Sequence, residues 1–333
     1  MELTTIWFCA IAFLWTGYLV LEGFDFGVGM WMPILGRDDT ERRVVLNTIG
    51  PVWDGNEVWL IVAGGAMFAA FPEWYATLFS GFYLPLFAIL VALILRATAL
   101  EYRGKRDDPA WRRRWDWCIV GGSIVPAFLW GVALANIVHG VPLDPEHEFV
   151  GSLLDLLNPY ALLGGLAMVA LFMTHGAMFI ALKTTGDVRA RANRAAFRVG
   201  GLAVLLGGGF MAWTVANADA GRTAPIALGA AAALLLGLVA ASAGRDGWAF
   251  AGTAVTVGLL TVLLFVALFP DVMPSSLDSA YSLTTDNAAA TPYTLEIMSW
   301  SAIVFVPLVM LYQGWSYWVF RKRIGTEHIP AGS

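Results

Sequence analysis

The stretch WDGNEVWLIVAGGAMFAAF, residues 53–71, opens with two carboxylates and an amide and then turns wholly apolar. Asp54 and Glu57 stand three residues apart with Asn56 between them, and FPEW at 71–74 supplies a tight turn before the next apolar run. A segment of this kind reads as a helix entering a membrane from a polar end. The rest of the chain agrees. It is 58% hydrophobic and 14% charged over 333 residues, whereas soluble domains are about half apolar and a quarter charged. Further apolar runs begin near Ile6, Trp74, Val120, Tyr160, Val199, Ala224, Trp248 and Ile297, most of them long enough for a hydrocarbon core of about 30 Å at about 1.5 Å per residue. The expectation is an all-α polytopic membrane protein with nine spans: 6–32, 53–70, 75–96, 118–138, 160–182, 199–216, 225–243, 248–269 and 297–320. No run alternates as a barrel strand would. Met1–Thr5 carries no positive charge and eight spans follow, so the first span is expected to be retained, unlike a signal peptide.

Orientation follows from charge. With the amino terminus outside, Arg96 and the inner connections 33–52, 97–117, 183–198, 244–247 and the tail after Phe320 hold 19 of the 20 Lys and Arg residues, leaving only Arg222 outside. Positive charge is retained on the cytoplasmic side, which makes the chain N-out and C-in. Basic inner loops serve topology and contact with anionic lipid, and no nucleic-acid partner is expected. Cys9 and Cys118 fall near opposite faces, so no disulfide is expected. The spans divide into a four-helix unit (1–138), an external loop (139–159), a second four-helix unit (160–269), a further external loop (270–296), and a ninth helix with a cytoplasmic tail (297–333). The 270–296 loop, rich in Pro, Ser, Thr and Asn, reads as an ordered cap with short turns. Gly23 and Gly27, Gly164 and Gly165, and Gly207 to Gly209 mark candidate close helix contacts.

The polar residues inside the spans carry the chemistry. Glu22 and Asp25 share one helix face, as do Asp54 and Glu57. All four are placed in the inner leaflet, near Asn56, with Arg96 and Glu101 at the inner end of the third span. A carboxylate in lipid costs about 2.5–3.5 kcal/mol or more, so these groups must face protein, water or a cation. Two readings stay open: a cytoplasmic entrance for protons, or a salt-bridged and helix-capping network around Arg96. Glu22 is the weakest member of the set by sequence alone. His175 is the one histidine inside a span. A hydrogen-bonded structural or proton-handling role suits it better than haem ligation, since a single histidine cannot build a bis-histidine site. On these residues alone a proton-coupled secondary transporter competes with a bioenergetic subunit.

LEGFDFGVGMW (21–31), the segment 38–83 containing WDGNEVW, LRATALEYR (95–103) and FPDVMPSSLDSAYSLTTDNAA (269–289) resemble subunit II of the cytochrome bd quinol oxidases. The likeness extends over the whole chain in length and span count. It implies a bacterial plasma-membrane complex that oxidises ubiquinol or menaquinol and reduces dioxygen to water. The resemblance places two b-type haems, haem d and the quinol site in subunit I. Subunit II then stabilises the complex and supplies part of a proton route, ligating no cofactor itself. By motif position Asp25 and Asp54 match the carboxylates of that route, with Glu22, Asn56, Glu57, Arg96, Glu101 and His175 as accessory candidates. Glu57 stands where some relatives carry Gln, so its charge is not expected to be essential. A bound lipid or structural quinone, and a small single-helix accessory subunit, are left open.

Overall fold

The computed structural model describes residues 2–329. Among them, eleven α-helices follow in order: α1 (Leu3–Leu35), α2 (Asp39–Asn47), α3 (Trp53–Ala70), α4 (Pro72–Gly81), α5 (Tyr83–Tyr102), α6 (Pro109–His139), α7 (Pro159–Lys183), α8 (Gly186–Asn217), α9 (Ala220–Ser242), α10 (Asp246–Leu268) and α11 (Pro292–Val319). Helices are the form in which an apolar segment can satisfy its own backbone away from water. Their starts are written locally. Asp38, Asp108, Asn158, Asp219 and Thr291 each accept a backbone N–H of the first turn, and prolines begin α4, α6, α7 and α11 where a missing N–H costs nothing. The cap read in 270–296 is ordered, with a two-stranded ribbon pairing β1 (Asp271–Met273) and β2 (Leu283–Thr284).

Eight of the helices are long and apolar enough to cross a membrane. The helix at 53–70 forms with the expected bounds, but Asp54, Asn56 and Glu57 near its start keep it below that measure. The expected span 75–96 is corrected to α4 and α5, with a break at Phe82. Pro85 has no N–H for the Gly81 carbonyl, and its ring would crowd that carbonyl in a continuous helix. The expected loop 183–198 is also mostly helix. The GDVRARANR segment begins α8, so only Thr184 and Thr185 separate α7 from α8.

Helix α1 packs against α3, α6, α7 and α10 and sits at the centre of the molecule. It meets α7 at a glycine pair. A Cβ on Gly27 would lie 2.1 Å from the Phe172 carbonyl oxygen and 2.7 Å from the Gly176 Cα. Gly131 meets Gly164 and Gly165 with the same closeness, and Gly252 meets Gly237. In contrast, Gly207 to Gly209 are not close-contact sites, since Cβ atoms there would have open space or ordinary contacts. Helix α3 runs antiparallel to α1, with Trp15 Nε1 3.3 Å from Met67 Sδ at one end and Asn56 beside Asp25 at the other. Helix α11 runs parallel to α1 and buries little. The Trp7 indole N–H reaches the Leu295 carbonyl and Ser299 hydroxyl, and beyond α11 the Ile324 N–H donates to the Lys183 carbonyl at 2.8 Å.

One end of the bundle carries a belt of ion pairs. Arg103 joins Asp39 and Asp116, Arg42 joins Asp116, Arg191 joins Glu41 at 2.7 Å, and Asp246 receives Arg189 and Arg323. These pairs tie together the connections after α1, α5, α7 and α9 and the carboxyl-terminal tail. Burial alone would raise the Glu41 carboxyl above its ordinary range, but the Arg191 and Arg37 contacts outweigh burial and hold it below. The clamp is therefore in place above the ordinary carboxylate pKa and is lost as pH falls through the lowered value.

Two outcomes follow. Gly27→Ala should destabilise by about 1–3 kcal/mol or more through overpacking, whereas Gly64→Ala, whose Cβ meets nothing within 4 Å, should be tolerated. Thermal unfolding of the detergent-solubilised complex compares them. Glu41→Gln should lower Tm at pH 7, and the difference should shrink as pH falls below the ordinary carboxylate range, measured in the same assay.

Candidate functional site

The polar residues of α1, α3, α5 and α11 converge inside the bundle. Glu22 and Asp25 are fully buried on α1, one turn apart, and Arg96 reaches them from α5, also fully buried. The Arg96 guanidinium donates through Nη1 to Glu22 Oε1 and, at 2.9 Å, to Glu57 Oε1. Its carbon lies 4.9 Å from the centre of the Phe26 ring, a cation–π seat on the same helix as the acids. Asp25 is held from α3, where Asn56 Nδ2 donates to its Oδ2 at 2.7 Å. The Asn56 oxygen in turn accepts from Gln313 Nε2 at 3.0 Å and from the Tyr317 hydroxyl at 2.8 Å. Trp59 Nε1 closes the set on Gln313 Oε1 at 3.0 Å.

Three of the four candidate carboxylates therefore gather, and the fourth does not. Asp54 is exposed at the start of α3, its Oδ1 accepting only the neighbouring Gly55 N–H. Helix periodicity explains this. Asp54 and Glu57 share one broad face, but Asn56 and Glu57 turn toward α1 and α5 while Asp54 stays at the rim. Glu101 is likewise exposed, a turn beyond Arg96 at the end of α5. Glu22, the weakest candidate by sequence, is instead the central partner of the guanidinium. His175 is buried: its Nε2 donates to the Val20 carbonyl at 3.1 Å, its Nδ1 lies 2.7 Å from the Thr253 hydroxyl, and its ring stacks on Phe250. Both ring nitrogens are engaged within the protein. Gln313 and Tyr317 are the members that reading missed. YQGWSYW at 312–318 did carry a signal, an amide inside an apolar span.

The arrangement holds one cation among three acids. Glu22 Oε2, Asp25 Oδ1, Arg96 Nε and Arg96 Nη2 have no protein partner among the described residues. Such a cluster can exchange protons among carboxylates or serve as a fixed ionic joint between α1, α3 and α5. No group of three or more His, Cys, Asp or Glu side chains among the described residues is arranged to hold a metal ion.

The fold and this site define an all-α, multi-pass membrane protein with a buried carboxylate–guanidinium centre. Residues 3–320 match the family described as cytochrome bd terminal oxidase subunit II. The chain is 42% identical over 328 residues to cytochrome bd ubiquinol oxidase subunit 2 of Bacillus subtilis, covering 97% of each. It is 37% identical over 363 residues to cytochrome bd-I ubiquinol oxidase subunit 2 of Escherichia coli K12, covering 97% of this chain and 96% of that one. A chain of the bd oxidase structure from Geobacillus thermodenitrificans shares the fold, with a TM-score of 0.71 at 14% identity, over 97% of this chain and all of that one. The chain belongs to the cytochrome bd terminal oxidase subunit II family, and its place is the bacterial inner membrane.

Breaking the centre should be costly. Arg96→Met leaves a buried Glu22 without its cation and should destabilise by about 3–5 kcal/mol. Glu22→Gln together with Arg96→Met should recover much of that loss, because no uncompensated charge remains between them. Denaturant unfolding of the two purified variants makes the comparison.

Proposed function

We propose that this chain, as subunit II of a cytochrome bd-type quinol:oxygen oxidoreductase, braces the haem-bearing subunit I and carries protons from the cytoplasm through Asp54 and Asp25. The observation that supports this reading is the unequal charge of the buried centre. One guanidinium cannot neutralise Glu22, Asp25 and Glu57 together. Away from water the excess negative charge is best relieved by a proton held on one of them. Asp25, tied to Asn56 on one oxygen and with no donor on the other among the described residues, is the acid best placed to take and release it.

The route begins at the rim. Asp54 stands exposed at the start of α3, one helical turn from Glu57 and the polar end of the cluster. Protons collected there pass to Asp25, while Asn56, Gln313 and Tyr317 hold its geometry. Glu22, Glu57 and Arg96 supply the fixed counter-charge. Glu101 and His175 lie outside this set, the first in solvent and the second closed by its own hydrogen bonds. Haems in subunit I supply the oxygen chemistry, which consumes four protons and four electrons for each dioxygen reduced to two waters. Quinol is the electron donor. Taking those protons from inside while quinol releases its own outside separates charge without a pump.

Nine spans fit this reading, with α3 as the ninth crossing, the amino terminus outside, and α1 to α6 and α7 to α10 as the two four-helix units. Counted that way, the ion-pair belt is the cytoplasmic end and the cluster lies in the inner leaflet. Family membership leaves the alternative of a proton-coupled secondary transporter without support.

Asp25→Asn keeps an acceptor for Asn56 and removes the proton site. In membranes with subunit I co-expressed, the reduced-minus-oxidised haem spectrum should be normal. Quinol-dependent oxygen consumption should fall about 10²-fold, the scale of a lost proton-transfer group. Asp54→Asn should show the same pattern with a smaller loss. Normal turnover in both variants would make the cluster a structural joint only, and lost haem spectra would make it a docking element.

A further inference from the structure

Among the described residues, the end of the molecule opposite the ion-pair belt carries one Lys or Arg side chain, Arg222, in the first turn of α9. Arg222 forms no ion pair among the described residues. Its guanidinium lies over the Phe269 ring, 5.6 Å from the centroid, and is exposed. The nearby Asp219 is occupied, accepting the Gly221 N–H at 2.9 Å as the cap of α9. Directly beneath Arg222 runs a groove of about 470 Å³ between α1 and α10. Thr5, Cys9, Ala12 and Thr16 form one wall, and Val262 and Val266 the other. The groove is almost wholly apolar, and the Thr16 hydroxyl is engaged by the Ala12 carbonyl at 2.7 Å.

The dimensions limit what fits. From Thr5 to Thr16 the groove descends about 16 Å at the helical rise of 1.5 Å per residue. That is close to half of a hydrocarbon core about 30 Å thick, or one leaflet. A planar cation at the mouth and a leaflet-long apolar channel below it match a phospholipid. A phosphate accepts paired N–H donors from a guanidinium, and an acyl chain gains continuous contact with the groove walls. A neutral quinone head could accept an N–H bond from the guanidinium but would not neutralise its charge.

We propose that this groove binds one phospholipid of the leaflet opposite the ion-pair belt, its phosphate on Arg222 and one acyl chain between α1 and α10. The inference stands apart from the proton route, since it shares no residue with the buried centre. Its occupant would wedge α1 against α10 at the end where glycine contacts are absent from that pair, and so steady the helix that carries Glu22 and Asp25.

Cys9 provides a reporter, because its thiol is exposed along the groove wall. The whole oxidase, both subunits co-expressed and Cys118→Ser in this chain, is purified in mild detergent and stripped of lipid. Alkylation of Cys9 is then followed by intact mass. Added dioleoylphosphatidylglycerol should slow alkylation several-fold. Dioleoylglycerol, which has the same chains and no phosphate, should not, nor should inorganic phosphate alone. With Arg222→Gln the phosphatidylglycerol protection should weaken at least several-fold, and Ala12→Phe, which fills the groove, should abolish lipid dependence. Equal protection by dioleoylglycerol, or protection unchanged in Arg222→Gln, would overturn the assignment. A Cys9 already unreactive in the stripped complex would overturn it as well, since the partner subunit would then cover the groove.

Discussion

A guanidinium cannot lie among apolar helices without anions to meet it, and the interior of this protein is arranged around that constraint. Arg96 comes from α5, Glu22 and Asp25 from α1, and Glu57 from α3, so the pairing fixes three helices to one another at a single depth. Taking such charges out of water costs several kcal/mol per ion. The structure offsets this with close geometry, the Phe26 ring and the Asn56 amide. An apolar joint of the same volume would hold the helices as well. What it could not do is accept a proton, which is the role proposed for Asp25.

Close glycine contacts surround the centre. Helix association in lipid gains little from the hydrophobic effect, because lipid tails are as apolar as leucine, and depends on close packing. Gly27 against Gly176 draws α1 onto α7, while Gly122 lets α6 approach α5, where a Cβ would stand 2.7 Å from the Ala92 carbonyl oxygen. Those approaches rotate α1 so that Glu22 and Asp25 face α5 and α3 instead of lipid. Helix α11 is held differently. With only Leu295 among its residues buried, it stays beside α1 through polar contacts: Trp7 near its start, Gln313 and Tyr317 near its end, and the tail bonded to the α7–α8 turn. Its link to the centre through Asn56 means that the position of α11 and the environment of Asp25 are set together.

The two ends of the molecule differ in the same physical terms. One end concentrates Arg, Asp and Glu in paired clamps whose strength is tuned by pH and salt. The other offers a single unpaired arginine above an apolar groove. The buried centre lies between an end tied by ion pairs and an end with an open apolar groove.

Membrane class, most of the long apolar helices and the charge asymmetry were legible in the residues alone. Each is a sum along the chain: apolar length against bilayer thickness, and the placement of 19 of 20 basic residues. The break at Phe82 was also written locally, in Pro85, though it was not read. The buried centre was legible only as a set of candidates. Glu22 and Asp54 carry similar local signals, yet one is the partner of Arg96 and the other lies in solvent, and Gln313 joins Asn56 across 257 positions of sequence. Which polar groups meet depends on how far each helix is rotated and how closely it crosses its neighbours. In a chain whose lipid-facing and protein-facing sides are both apolar, no periodicity records that rotation. It is decided by glycine contacts between distant segments, and so only by the tertiary structure.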